Sequence, residues 1–220
     1  MKKIKLKDPI NTKEKISEIF LVRHGETEEN KKKLLFGHLD WNLNKTGISQ
    51  IKNCSKKLNQ ITKGKDIHLI ITSTLLRAKN SAKIINKKLK IKKTITMKDI
   101  SEKSEGILEG KTYKEFKETD YKNYRKWLKD PLNFRPKKGE SIADLNKRVL
   151  RAYKFLRKKY SGKNIIIVAH SGPIKLMLLN ILGTDIKKFW NIRVDCGSIS
   201  IITISKNQSV INALNIKDVY

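Results

Sequence analysis

Cysteine, proline and aromatic side chains are scarce in this chain of 220 residues, which holds two cysteines, four prolines and 7% aromatics. The two thiols, Cys54 and Cys196, lie far apart, and nothing beside either has the spacing of a metal-ligand pair. That excludes a disulfide framework and a zinc site, and both are expected as buried or half-buried free thiols. Long apolar runs are also missing. The longest, Asn164-Ile165-Ile166-Ile167-Val168-Ala169, falls far short of the roughly 20 residues that span a bilayer, so no membrane association is expected. Residues 1–15 carry lysines but neither an apolar segment nor a small-residue cleavage site, which speaks against a secretory signal. A cytoplasmic chain with a flexible leader over 1–15 is expected. No repeat and no Pro/Gly/Ser linker interrupts the sequence, so 1–220 reads as a single domain.

Acidic residues are few: 21 Asp and Glu stand against 50 Lys and Arg, a net charge of +29. Such an excess raises the question of nucleic acid, where neutralising phosphates dominates binding. Only eight of the basic residues are arginine, however, and the lysines are scattered among abundant Ile and Asn, as in drift toward A/T-rich codons. A nucleic-acid footprint needs basic charge clustered on one element and interleaved with aromatics. No nucleic-acid partner is therefore expected, and the charge serves at most to attract small anions.

What is present alternates. Glu18–Val22, Ile67–Ile71 and Asn164–Ala169 read as buried strands, with a short strand around Ile95 and Met97 and closing strands over Ser198–Ile202 and Ser209–Leu214. Between them, helical spacing marks Ile48, Ile51, Cys54, Leu58 and Ile61, then Leu75 to Lys88, and Gly172 to Leu182. Ser141 with Asp144 resembles a capping box and opens a helix whose apolar stripe is read as Ile142, Leu145, Val149 and Phe155. The segment 111–138, rich in Lys, Glu and aromatics, reads as an excursion from the sheet that forms a lid. The fold class expected is α/β: a three-layer α/β/α sandwich, its sheet mostly parallel with helices on both faces.

Two of these strands end on a histidine followed by a glycine-containing loop, Arg23-His24-Gly25-Glu26-Thr27 and His170-Ser171-Gly172. Ligand sites of open α/β sheets form at strand C-terminal ends, so both histidines come within reach of one pocket. With Asn30, the first segment reads Arg-His-Gly-Glu-Thr-x-x-Asn and resembles the signature of the histidine phosphatase (phosphoglycerate mutase-like) superfamily. Other marks follow in order. Gly37, Asp40, Leu43, Gly47 and Gln50 are spaced as in the family's second stretch, although Asn42 and Asn44 stand where Pro and Ser or Thr are frequent. Ser73-Thr74-Leu75-Leu76-Arg77-Ala78 resembles its arginine-bearing segment, Ile100-Ser101-Glu102 its acid-bearing one, and Gly139-Glu140-Ser141 a further mark before the His170 loop.

The resemblance implies the three-layer fold and a phosphohistidine mechanism. His24 is then the nucleophile, with one ring nitrogen held by a backbone carbonyl so that the other carries a lone pair. Arg23, Arg77 and His170 take the phosphate, with Asn30 as a neutral donor, because guanidinium forks match a phosphate better than ammonium groups do. Glu102 is the proton shuttle. His38, in a loop that reaches toward the pocket, and His68, in a strand, receive no role. Glu26, Glu28, Glu29 and Glu109 are not read as metal ligands, because the arginine pair supplies the positive charge; neither a metal nor an organic cofactor is expected. The reading is hydrolysis of a small phosphorylated metabolite, in the branch that holds α-ribazole phosphatase-like enzymes. Phosphoglycerate mutase is the alternative within the fold, and a catalytically idle basic binding protein on the same scaffold is the alternative outside catalysis. The stretches that mark cofactor-dependent mutases are replaced here by Lys33–His38 and Lys103–Leu108.

Overall fold

The computed structural model describes residues 15–205 and 208–217, so nearly all of the expected leader lies outside the described residues. Six strands, β1 (Ser17–Arg23), β2 (Ile67–Thr72), β3 (Thr94–Thr96), β4 (Asn164–Ala169), β5 (Ile199–Ile204) and β6 (Ser209–Ile216), form one sheet in the order β3-β2-β4-β1-β5-β6. The pairings β3/β2, β2/β4 and β4/β1 are parallel, while β5 runs against both β1 and β6.

The middle residues of the central strands are apolar in succession because both of their faces are covered. Along β1, Ile19 and Leu21 face one side and Phe20 and Val22 the other. The first side packs on α6 (Ile142–Lys159) and α7 (Ser171–Leu182), the second on α2 (Lys45–Ile61) and α3 (Leu76–Leu89). This is the expected three-layer sandwich. Two further helices, α4 (Tyr113–Thr119) and α5 (Tyr121–Lys129), lie within the 111–138 excursion, where Phe116 is buried against Leu35 and Leu108. Each opens on a side-chain cap, Thr112 with Glu115 and Asp120 with Asn123, which makes such short helices viable.

The Ser141–Asp144 box forms as expected, each partner accepting a backbone N–H of the other. Phe155 does not join the stripe of α6 and stands 47% exposed beneath the Lys159 ammonium. Seven residues after Val149 the helix returns to the same face, within about 20°, so Leu156 takes the core position and Phe155 points well away from it. The Asn44 departure proves conservative, since its side chain caps α2 by accepting the Gly47 N–H at 2.7 Å, as a Ser or Thr does.

Candidate active site

Because β2, β4 and β1 are neighbours running the same way, their C-terminal ends deliver Ser73, His170 and His24 side by side. Backbone bonds extend the sheet just far enough to fix them: His24 N–H donates to Ala169 O (3.0 Å) and Ser73 N–H to Val168 O (3.1 Å). Immediately after His24 the chain passes so close to the start of α2 that a Cβ on Gly25 would stand 2.3 Å from Gly47 O, and one on Gly47 2.1 Å from Glu26 O. Both positions therefore require glycine, which accounts for two spaced motif residues at once.

His24 is buried, and its Nδ1 lies 2.7 Å from Gly25 O. A carbonyl only accepts, so the proton sits on Nδ1 and Nε2 carries the lone pair. The His170 ring lies 4.9 Å away, centroid to centroid. Its Nε2 meets Ser73 Oγ at 2.6 Å, and that oxygen already accepts the Leu75 N–H at 3.3 Å. With the Ser73 hydroxyl donating to His170 Nε2, the ring proton of His170 sits on Nδ1 as a donor. Sequence reasoning placed Ser73 in a motif but gave it no task; holding this tautomer is one.

Arg77 is wholly buried beneath the sheet ends, its Nη1 and Nη2 donating to Leu39 O (3.0 Å) and Gly37 O (2.8 Å), with its guanidinium 4.8 Å from the Phe36 ring centre. The loop carrying those carbonyls is anchored by Glu109, which accepts from the His38 N–H, and by Asp40, which accepts the Leu76 N–H at the head of α3. Arg23 is fixed through Nη1 to Val194 O at 2.7 Å. Burial pulls the Arg77 guanidinium down to about 10, against the charges of Glu102 and Asp40, and it stays cationic at neutral pH. Arg23 Nε, Arg77 Nε and His170 Nδ1 are all buried with no hydrogen-bond partner among the described residues. The charges of both arginines reach His24 and the His170 ring lies against it, so three buried donors left open beside one histidine suit an incoming anion. The Asn30 carboxamide oxygen is occupied by Thr27 N–H and Oγ1–H, which leaves its NH₂ as donor.

Glu102 lies beside this group with its carboxylate held by the N–H of Lys103 (2.9 Å) and of Gly172 (3.2 Å) at the head of α7. A Cβ on Gly172 would come within 2.3 Å of Glu102 Oε1. The loop beneath is clamped by Arg148, whose Nη1 donates to Asp99 O and Ser101 O and whose Nη2 donates to Glu102 O, while Nε and Nη2 fork onto the Glu140 carboxylate. That fork accounts for Gly139-Glu140-Ser141, and Arg148 is the positioning residue that the sequence did not reveal. His38 does reach this region, its Nε2 lying 2.8 Å from Glu102 O, whereas His68 sits at the opposite end of the sheet near the Lys163 ammonium. Among the described residues no group of three or more His, Cys, Asp or Glu side chains is arranged to hold a metal ion. Glu26 instead accepts from Asn44, and Glu109 from the backbone of His38 and Glu105.

Both histidines resist protonation. Burial lowers the His24 imidazole well below 6.5, assisted by the Arg77 and Arg23 charges and only partly opposed by Gly25 O; burial followed by Arg77, His24 and Arg23 does the same for His170. The unfolded chain therefore binds protons below about pH 6.5 that the native state refuses. Stability should accordingly fall as pH drops from 6.5 toward 5, by up to about 1.4 kcal/mol per pH unit for each histidine. Urea midpoints across that range check this, and His170→Asn should flatten the slope; an unchanged slope would mean that His170 is charged in the native protein.

Two parallel strands that end on paired histidines, flanked by arginines and a carboxylate, make this end of the sheet the candidate active site of an α/β protein. The chain belongs to the histidine phosphatase superfamily (branch 1), whose family model matches residues 19–217. It is 28% identical to the adenosylcobalamin/alpha-ribazole phosphatase of Escherichia coli (strain K12), over 90% of this chain and 95% of that one. It is 30% identical to phosphoserine phosphatase 1 of Hydrogenobacter thermophilus, over 90% and 92%. The crystal structure of the alpha-ribazole phosphatase from Shigella flexneri superimposes with a TM-score of 0.83 at 28% identity, covering 90% of this chain and 96% of that chain. Among the described residues no helix is long and apolar enough to cross a membrane.

Proposed function

We propose that this phosphatase hydrolyses phosphomonoesters of small metabolites in two in-line steps through a phosphohistidine at His24. The single observation that carries the reading is the trio of buried, unpartnered donors beside a histidine whose Nε2 lone pair is set by Gly25 O. In the first step His24 Nε2 attacks phosphorus, the bond from phosphorus to the ester oxygen breaks, and the protonated Glu102 gives its proton to the departing oxygen. Arg23, Arg77, the Asn30 NH₂ and His170 Nδ1–H bind the phosphoryl oxygens as charge develops on them. In the second step the Glu102 carboxylate takes a proton from water as that water attacks phosphorus, the bond from phosphorus to nitrogen breaks, and the His24 lone pair is restored. The arginines supply the positive charge that a metal brings elsewhere, so no metal takes part.

The α4–α5 excursion serves as the lid over the leaving group, and relatives named alpha-ribazole phosphatase and phosphoserine phosphatase support a small-metabolite substrate. The lysines are spread too evenly to form a nucleic-acid footprint, and the scarcity of cysteine suits a cytoplasmic setting. Brief reaction with a ³²P-labelled substrate and an alkaline quench should leave acid-labile label on His24, and exhaustive chelation should not slow turnover. Label on serine or aspartate, activity restored only by added Mg²⁺, or dominant phosphoglycerate interconversion in a parallel assay would each overturn the reading.

A further inference from the structure

Beside Glu102 the site opens into a cavity of about 220 Å³ between the lid helices and the segment after α7. Aromatic rings line it, Tyr113 and Trp127 with centroids 5.1 Å apart on the lid side and Phe189 with Trp190 on the other. Two lysines line it, and their situations differ. The Lys103 ammonium is spoken for, lying 2.6 Å from Glu105 and 3.3 Å from Glu140 O. Lys175 sits one turn into α7 from Gly172, half-buried, its ammonium 4.9 Å from the Phe189 ring centre. Among the described residues no carboxylate lies within ion-pair distance of it. Burial and the nearby Arg23 charge lower its pKa against the charge of Glu102, so the environment withholds part of the stabilisation that a surface lysine takes from water.

A half-buried cation that touches no carboxylate among the described residues, facing a cavity next to the leaving-group acid, is costly unless a ligand supplies a contact charge. We infer that Lys175 is a specificity-determining residue that pairs with a carboxylate on the leaving group, so that the preferred substrates are phosphomonoesters of hydroxy acids. This rests on the hydrolase reading and names its substrate class. A carboxylate is favoured over a second phosphate because Lys175 offers one compact charge braced on an aromatic face, whereas a phosphate dianion draws guanidinium forks. Glu102 does not oppose the pairing: its carboxylate is held by two backbone N–H groups and is protonated when it acts on the leaving oxygen.

The test compares substrates that differ only in the carboxylate: phosphoserine against phosphoethanolamine, and 3-phosphoglycerate against glycerol phosphate. For the wild type, kcat/KM should favour the acid of each pair by on the order of 10- to 100-fold, the worth of one charge-assisted hydrogen bond in a sheltered site, and most of the difference should lie in KM. In Lys175→Met that ratio should collapse toward one, and Lys175→Arg should recover part of it. A general loss of integrity lowers both members of a pair and cancels in the ratio. A ratio near one in the wild type, or a ratio unchanged in Lys175→Met, overturns the assignment. So does a larger Lys175 dependence for propanediol bisphosphate against propyl phosphate than for the acids. Absence of turnover on every phosphomonoester together with absence of label on His24 is a different failure: it removes the hydrolase reading and takes this assignment with it.

Discussion

His24→Asn should lower kcat by on the order of 10⁴-fold or more, because an amide offers no lone pair basic enough to attack phosphorus and the covalent route closes altogether. The loss should appear in the first step, so rapid-quench measurements should find neither burst nor label on the enzyme. Phosphate binding should change far less. Arg23 and Arg77 are held by Val194 O, Leu39 O and Gly37 O, and His170 by Ser73, none of which depends on the His24 ring. Inorganic phosphate should still raise the variant's melting temperature, as any ligand of the native state does. A variant retaining a tenth of wild-type kcat would remove His24 from the chemistry, and one that no longer responds to phosphate would show that the ring holds the site together.

How much of this was legible in the sequence depends on how local each feature is. The strands were legible because covering both faces of the sheet makes their middle residues apolar in succession, and the two histidines because they end such runs. Arg77 was found through its motif, but what fixes it, the carbonyls of Gly37 and Leu39, lies about forty residues upstream and leaves no local pattern. Arg148 shows the same thing more sharply: its carbonyl partners are 46 to 49 residues away, and within α6 it reads as one more basic residue of a basic helix. Phe155 and Leu156 are adjacent and both apolar, so periodicity alone did not decide which one enters the core. Lys175 was hidden in the apolar run of α7, because the ring it rests on, Phe189, belongs to a segment with no periodicity of its own.

The role of Glu102 separates when the leaving group is varied, because a general acid matters only where the departing oxygen is too basic to leave alone. Glu102→Gln keeps the size of the side chain and one acceptor for the N–H groups of Lys103 and Gly172, but it removes the transferable proton. For an alkyl phosphate the leaving alkoxide is strongly basic, and the first step should slow on the order of 10²- to 10⁴-fold. For p-nitrophenyl phosphate the phenolate leaves unaided, and phosphorylation of His24 should proceed nearly as in the wild type. The second step needs water activated by the same carboxylate whichever substrate was used. The phosphoenzyme should therefore accumulate with the aryl substrate, seen as a burst of nitrophenolate equal to the enzyme present, followed by a slow steady rate. Because Arg148 fixes the backbone beneath Glu102 through Ser101 O and Glu102 O, the loop should not shift in the variant, and the two substrates should report the proton alone. An equal loss on both substrates without a burst would instead make Glu102 a brace for the head of α7, with the proton carried by another group.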